Sequence, residues 1–106
     1  MPSTNKNYSI STYLFDPANL LLHNNENSIT LTQRQAALLE LFILNKNVVL
    51  KREAILKKLW GDDDYFMGRS LDVFISKLRK IVQQMPGISI ENIHGIGFRF
   101  TDKNTY

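Results

Sequence analysis

One short segment of the chain concentrates residues that could do chemistry: Arg69, Ser70, Val73, Ser76, Lys77, Arg79 and Lys80. At about 100° per residue, Leu71, Phe74, Ile75, Leu78, Ile81 and Val82 fall on one apolar stripe of a helix. The opposite face then carries Arg69, Val73, Ser76, Lys77 and Lys80, with Ser70 and Arg79 towards its edges. Lys77 and Arg79 suit guanine O6/N7 or phosphate oxygens, and the methyls of Val73 suit the methyl of thymine. The same residue types also describe a solvated polar face, and composition alone leaves both readings open.

Other candidate constellations are weaker. Asp62, Asp63 and Asp64 are adjacent, but no phosphate-cradling loop accompanies them, so an acidic solvated loop is preferred to a magnesium site. Gly95-x-Gly97 is too short for a dinucleotide fingerprint and precedes no helix, which favours a hairpin tip. His23 and His94 are the two histidines and lie in separate strand-like runs, without the further ligands zinc needs. Ser70 and Ser76 have no base beside them in sequence to activate a nucleophile. No catalytic residue, cofactor-binding residue or metal ligand is assigned. Cysteine is absent, so disulfides and thiolate-metal sites are excluded.

The chain has 106 residues, 43% hydrophobic and 22% charged, which suits one folded domain with its own core. The formal charge of +3 is uneven. Residues 1–50 balance Lys6, Arg34 and Lys46 against Asp16, Glu26 and Glu40, so the whole excess lies in residues 51–106. That asymmetry favours a polyanionic partner. The apolar run around Leu41–Leu44 is far too short to cross a bilayer, and the polar first residues lack the apolar stretch of a secretory signal. The expectation is a cytoplasmic domain without membrane contact.

The elements that would position the basic helix follow from period and punctuation. Tyr8–Phe15 is β-branched and aromatic-rich and reads as one strand closed by Asp16-Pro17. Leu20–His23 and Ser28–Leu31 read as two more, separated by the turn cluster Asn24–Asn27. Thr32-x-x-Gln35 is a capping box opening a densely apolar helix to Asn45. Val48-Val49 is extended, Lys51–Trp60 is a second helix stopped by Gly61, and the third runs from about Arg69 to Gln84 before Pro86-Gly87. Ile88–Phe100 holds two strands around His94-Gly95-Ile96-Gly97. The resulting order, βββ-α-(β)-α-α-ββ, is α+β: a winged helix-turn-helix with an N-terminal antiparallel sheet, three helices and a C-terminal hairpin wing.

Several ordered motifs then carry a resemblance. They are Leu14-Phe15-Asp16; Leu31-Thr32; Val48-Val49 through Arg52-Glu53 to Trp60-Gly61; Arg69-Ser70-Leu71-Asp72-Val73-x-Ile75-Ser76-Lys77-Leu78-Arg79-Lys80; and Ile93-x-Gly95-Ile96-Gly97-Phe98-Arg99-Phe100. Through them the chain resembles the OmpR/PhoB-type effector domains of bacterial two-component response regulators. The resemblance implies a four-stranded sheet, three helices and a hairpin wing, with residues 1–7 as linker, 8–103 as the domain and 104–106 as a tail. It implies sequence-specific binding of double-stranded DNA, with helix 69–84 in the major groove and hairpin 88–102 as the wing. Val73, Ser76, Lys77 and Lys80 would face the major groove, with Val73, Ser76 and Lys77 reading bases, and Ser70, Arg79, Arg52 and Trp60 would meet phosphates. Arg69 would share that surface, partly paired with Asp72. Asp62, Asp63, Asp64 and Tyr65 would fall in a loop that touches RNA polymerase. Tandem dimers on direct repeats, a monomer in isolation, and a phosphorylated receiver domain lying outside this chain are further implications.

Four positions depart from the family pattern. His94 stands where arginine is usual for the minor groove, Phe74 where the recognition helix has histidine, Lys51 where a Ser or Thr caps the second helix, and Phe98 where tyrosine is common. The rival readings are a winged helix that docks proteins without reading DNA and, further off, an RNA binder. The latter lacks an exposed aromatic stacking pair on a sheet.

Overall fold

The computed structural model describes residues 7–61 and 67–103, with side chains in the second segment from residue 71. Four strands open the fold: β1 (Tyr8–Ile10), β2 (Tyr13–Asp16), β3 (Leu21–His23) and β4 (Ser28–Thr30). They form an antiparallel meander in the order β1-β2-β3-β4. Its register aligns Tyr8, Phe15, Leu22 and Ile29 across one face, which lies against the core. The expected single strand Tyr8–Phe15 is two strands. Ser11 turns the chain at φ 56°, and its hydroxyl donates to the Pro86 carbonyl at 2.8 Å. A long-range bond holds a left-handed residue that no local turn signal announces.

Helix α1 (Gln33–Leu44) begins at the expected capping box. The Gln35 amide donates to the Thr32 hydroxyl at 3.1 Å, and the Thr32 amide donates to the Gln35 side chain at 2.9 Å. Its Ala36, Leu38, Leu39, Phe42 and Ile43 are buried, so α1 is the middle of the domain. Asn47 then turns the chain at φ 66° and joins it to the C-terminal hairpin. Its amide donates to the Phe100 carbonyl at 2.7 Å, and its side-chain oxygen accepts the Asp102 amide at 3.0 Å.

Strand β5 (Val49–Lys51) leads directly into α2 (Arg52–Trp60), followed by α3 (Met67–Val82) and the hairpin β6 (Ile88–Ile93) and β7 (Gly97–Asp102). Rather than merely linking helices, β5 pairs with β7, giving a three-stranded sheet in the order β5-β7-β6. Phe42 of α1 stacks on Phe100 of β7 with ring centroids 5.9 Å apart, locking the hairpin base to the central helix. Helix α3 begins earlier than the expected Arg69 and ends at Val82 rather than Gln84. The Gln84 amide donates to Ile81 and the Met85 amide to Val82. This tightened last turn buries Met85 ahead of Pro86.

Gly97 is required by proximity. A Cβ there would fall on the Leu50 carbonyl and lie 2.9 Å from Lys51 Cα, because the start of β7 is pressed against the end of β5, its paired strand. Gly97→Ala should therefore cost about 1–3 kcal/mol by overpacking, read as a lower urea midpoint with an unchanged slope.

Candidate nucleic-acid interface

The exposed side of α3 is built by its apolar side. Leu71, Ile75, Leu78 and Val82 are buried, which fixes the rotation of the helix and turns Val73, Ser76, Lys77 and Lys80 outward. Val73 is 51% exposed, an unusual state for a β-branched aliphatic residue in a helix that buries its partners so completely. A hydroxyl, two ammonium groups and an apolar methyl pair thus share one open helical face. The side chains of Arg69 and Ser70 lie outside the described residues, as do Asp62, Asp63, Asp64 and Tyr65.

Each flank of α3 is tied to a different element. On one flank, Arg52 Nη1 at the start of α2 donates to Asp72 Oδ1 at 2.8 Å. Asp72 thus pairs with an arginine twenty residues upstream, and the expected Arg69–Asp72 pair lies outside the described side chains. Further along the same flank, Arg79 Nε donates to the Ile90 carbonyl of β6 at 3.1 Å. On the other flank, the half-buried Phe74 meets Trp60 edge to face at 5.7 Å. The Arg34 guanidinium of α1 sits 4.6 Å from the centre of the Trp60 ring. Phe74, in the place of the usual histidine, completes the packing of Trp60.

Helix α2 starts without a side-chain cap, because Lys51 offers no acceptor. A partner comes from the wing: the Arg52 amide donates to the Ile96 carbonyl at 3.1 Å, and Glu53 in the first turn favours the positive end of the helix dipole. The turn at the wing tip is closed by the Ile96 amide on the Ile93 carbonyl, with Gly95 at φ 77°. His94 is exposed at this tip, beside an Ile96 that is 51% exposed. A cleft of about 400 Å³ separates the tip from α2, lined by Arg52, Glu53, Leu56, Ile93, Ile96 and Phe98 among others. The structure therefore brings Arg52, Val73, Ser76, Lys77, Arg79, Lys80 and His94 onto the α2–α3–wing region, while Trp60 is half-buried at its far flank.

Sequence reasoning missed two contributors. Arg34 covers Trp60 from α1, and only its being the sole cation of that helix hinted at a specific place. The outer face of the wing is buckled by Glu91, which accepts from Arg99 Nε at 2.7 Å and from the Thr101 hydroxyl at 3.1 Å. Alternation within the strands marks these residues as outward-facing but leaves their pairing unspecified.

The comparisons with known proteins agree with this geometry. The family model described as transcriptional regulatory protein, C terminal, matches residues 25–100. The chain belongs to this family, the OmpR/PhoB-type effector domains. The effector domain is 39% identical over 92 residues to the transcriptional regulatory protein RprY of Bacteroides fragilis, covering 87% of this chain and 39% of that protein. It is similar in structure to the DNA-binding domain of CssR from Bacillus subtilis: TM-score 0.63, 36% identity, covering 76% of this chain and 89% of that one. It is also similar to the Klebsiella pneumoniae RstA DNA-binding domain in complex with RstA box: TM-score 0.74, 27% identity, covering 91% and 97%. The chain spans about two fifths of the length of the curated relatives it matches. Among the described residues, no helix is long and apolar enough to cross a membrane.

The Glu91 buckle sets a pH dependence. The hydrogen bond from Arg99, and then that from Thr101, holds the Glu91 carboxyl below its ordinary 4.5. A carboxyl depressed on folding contributes stability above its unfolded value, and that contribution is lost as pH falls through the folded value. Melting temperatures of the wild type and Glu91→Gln should differ at neutral pH and converge in acid, below pH 4.5.

Proposed function

We propose that this effector domain binds double-stranded DNA sequence-specifically, as the output module of a two-component response regulator. Helix α3 enters the major groove and the β6–β7 hairpin acts as the wing. The observation that carries this reading is the open face of α3, where Val73, Ser76, Lys77 and Lys80 stand clear of the core on a helix clasped at both flanks. Val73 meets a thymine methyl, Ser76 and Lys77 meet base edges, and Lys80 extends the same row. Arg52, Arg69, Ser70, Trp60 and the terminal nitrogens of Arg79 meet phosphates, which position the helix without reading sequence. His94 approaches the minor groove from the wing tip. The complex of the similar RstA domain with RstA box supports this assignment.

Tandem dimers on direct repeats, contact of the Asp62–Tyr65 loop with RNA polymerase, a cytoplasmic location and a non-catalytic role complete the proposal. A receiver domain elsewhere in the full-length protein would govern access to DNA. Selection of bound duplexes from a random pool tests the reading: an enriched motif repeated at one helical turn supports it, and no enrichment rejects it.

With about four to six phosphates neutralised, log affinity plotted against log salt should fall with a slope near −4 to −5. Lys77→Ala should cost about 1–3 kcal/mol on the selected site and less on random duplex, whereas Arg79→Ala should weaken both. Equal losses on the two duplexes for Lys77→Ala would remove its base-reading role.

A further inference from the structure

Helix α3 contains a single acid, Asp72, and it adjoins the face assigned to a polyanion. It precedes Val73 directly and lies one turn before Ser76. Its carboxylate is 61% exposed and bonded to Arg52 Nη1, whose own side chain is 37% exposed. Duplex DNA carries one negative charge per about 1.7 Å of axis, so an acid here opposes attraction to any duplex, whatever its sequence.

We propose that Asp72 is a specificity-determining residue that acts through Arg52. Tethered to Asp72, the Arg52 guanidinium presents its planar donors in one direction relative to α3, rather than following whichever phosphate is nearest. The arginine is held at both ends, because its backbone amide is fixed by the Ile96 carbonyl. At a distance the pair is neutral, which lowers the electrostatic affinity that supplies non-specific binding. On a site where α3 is in register, the guanidinium meets its phosphate already oriented, and affinity is retained. Asp72 therefore widens the gap between specific and random DNA by weakening the latter. This inference rests on the placement of α3 proposed above.

Asp72→Asn keeps the shape and removes the charge, and a pair this exposed adds little to stability, so the variant folds. Binding of wild type and Asp72→Asn to the selected site and to random duplex is measured across a salt series. The expected result is a random-duplex affinity about fivefold higher near physiological salt, with a slope steeper by about one, and no gain on the selected site. In an Arg52→Gln background, the steeper slope should vanish, because the guanidinium that Asp72 restrains is gone. Equal gains on both duplexes, an unchanged slope, or a full effect persisting without Arg52 would each overturn the proposal. Wild-type protein that does not distinguish the two duplexes would overturn the interface reading and this inference with it.

Discussion

The functional surface depends on how closely the wing approaches the start of α2. The Ile96 carbonyl receives the Arg52 amide, and Gly97 lies against the Leu50 carbonyl without space for a Cβ. Two backbone segments remote in sequence are thus joined by main-chain contacts, which do not depend on long, mobile side chains. Everything that meets DNA in the proposed complex is referenced to this junction. Arg52 starts α2 there, Asp72 ties α3 to it, and the hairpin that carries His94 emerges from it. An α2 without a Ser or Thr cap is tolerated because the wing supplies an acceptor for one of its unpaired amides.

The division of labour on α3 follows from this frame. Its buried stripe sets rotation, and its flanks set tilt, through Arg52–Asp72 and Arg79–Ile90 on one side and Phe74–Trp60 on the other. The outward residues are then relieved of structural duty. Val73 can remain half-exposed, and Lys77 and Lys80 can keep their charge in water until a partner arrives. The modest formal charge of +3 understates the local field, because α3 has four cations against one acid, and that acid is already paired.

Much of this was legible in the sequence wherever the signal is local. The capping box Thr32–Gln35, the stripe Leu71–Val82 and the glycine-bearing hairpin tip each specify an element by residue type and spacing, and the exposed row of α3 follows directly from the stripe. What was not legible depends on distant contacts. Ser11 adopts a left-handed turn through a bond to Pro86, so Tyr8–Phe15 reads as one strand until the partner is known. The end of α3 is drawn back to Val82 by burial of Met85 in a tightened turn, which competes with continuation of the helical pattern. The Arg52–Asp72 pair is tertiary: twenty residues separate the two, and only the crossing of α2 and α3 brings them together.

The Arg79–Ile90 bond has a consequence for how such proteins diverge. One guanidinium nitrogen is committed to a main-chain oxygen of β6, and a carbonyl is present whatever residue occupies that position. The clasp itself constrains position 79 alone, while the side chain of Ile90 is fixed separately by its burial in the core. Transplanting the outward residues of α3 between relatives should retarget a chimera, provided that arginine and the hairpin backbone travel as an unaltered chassis.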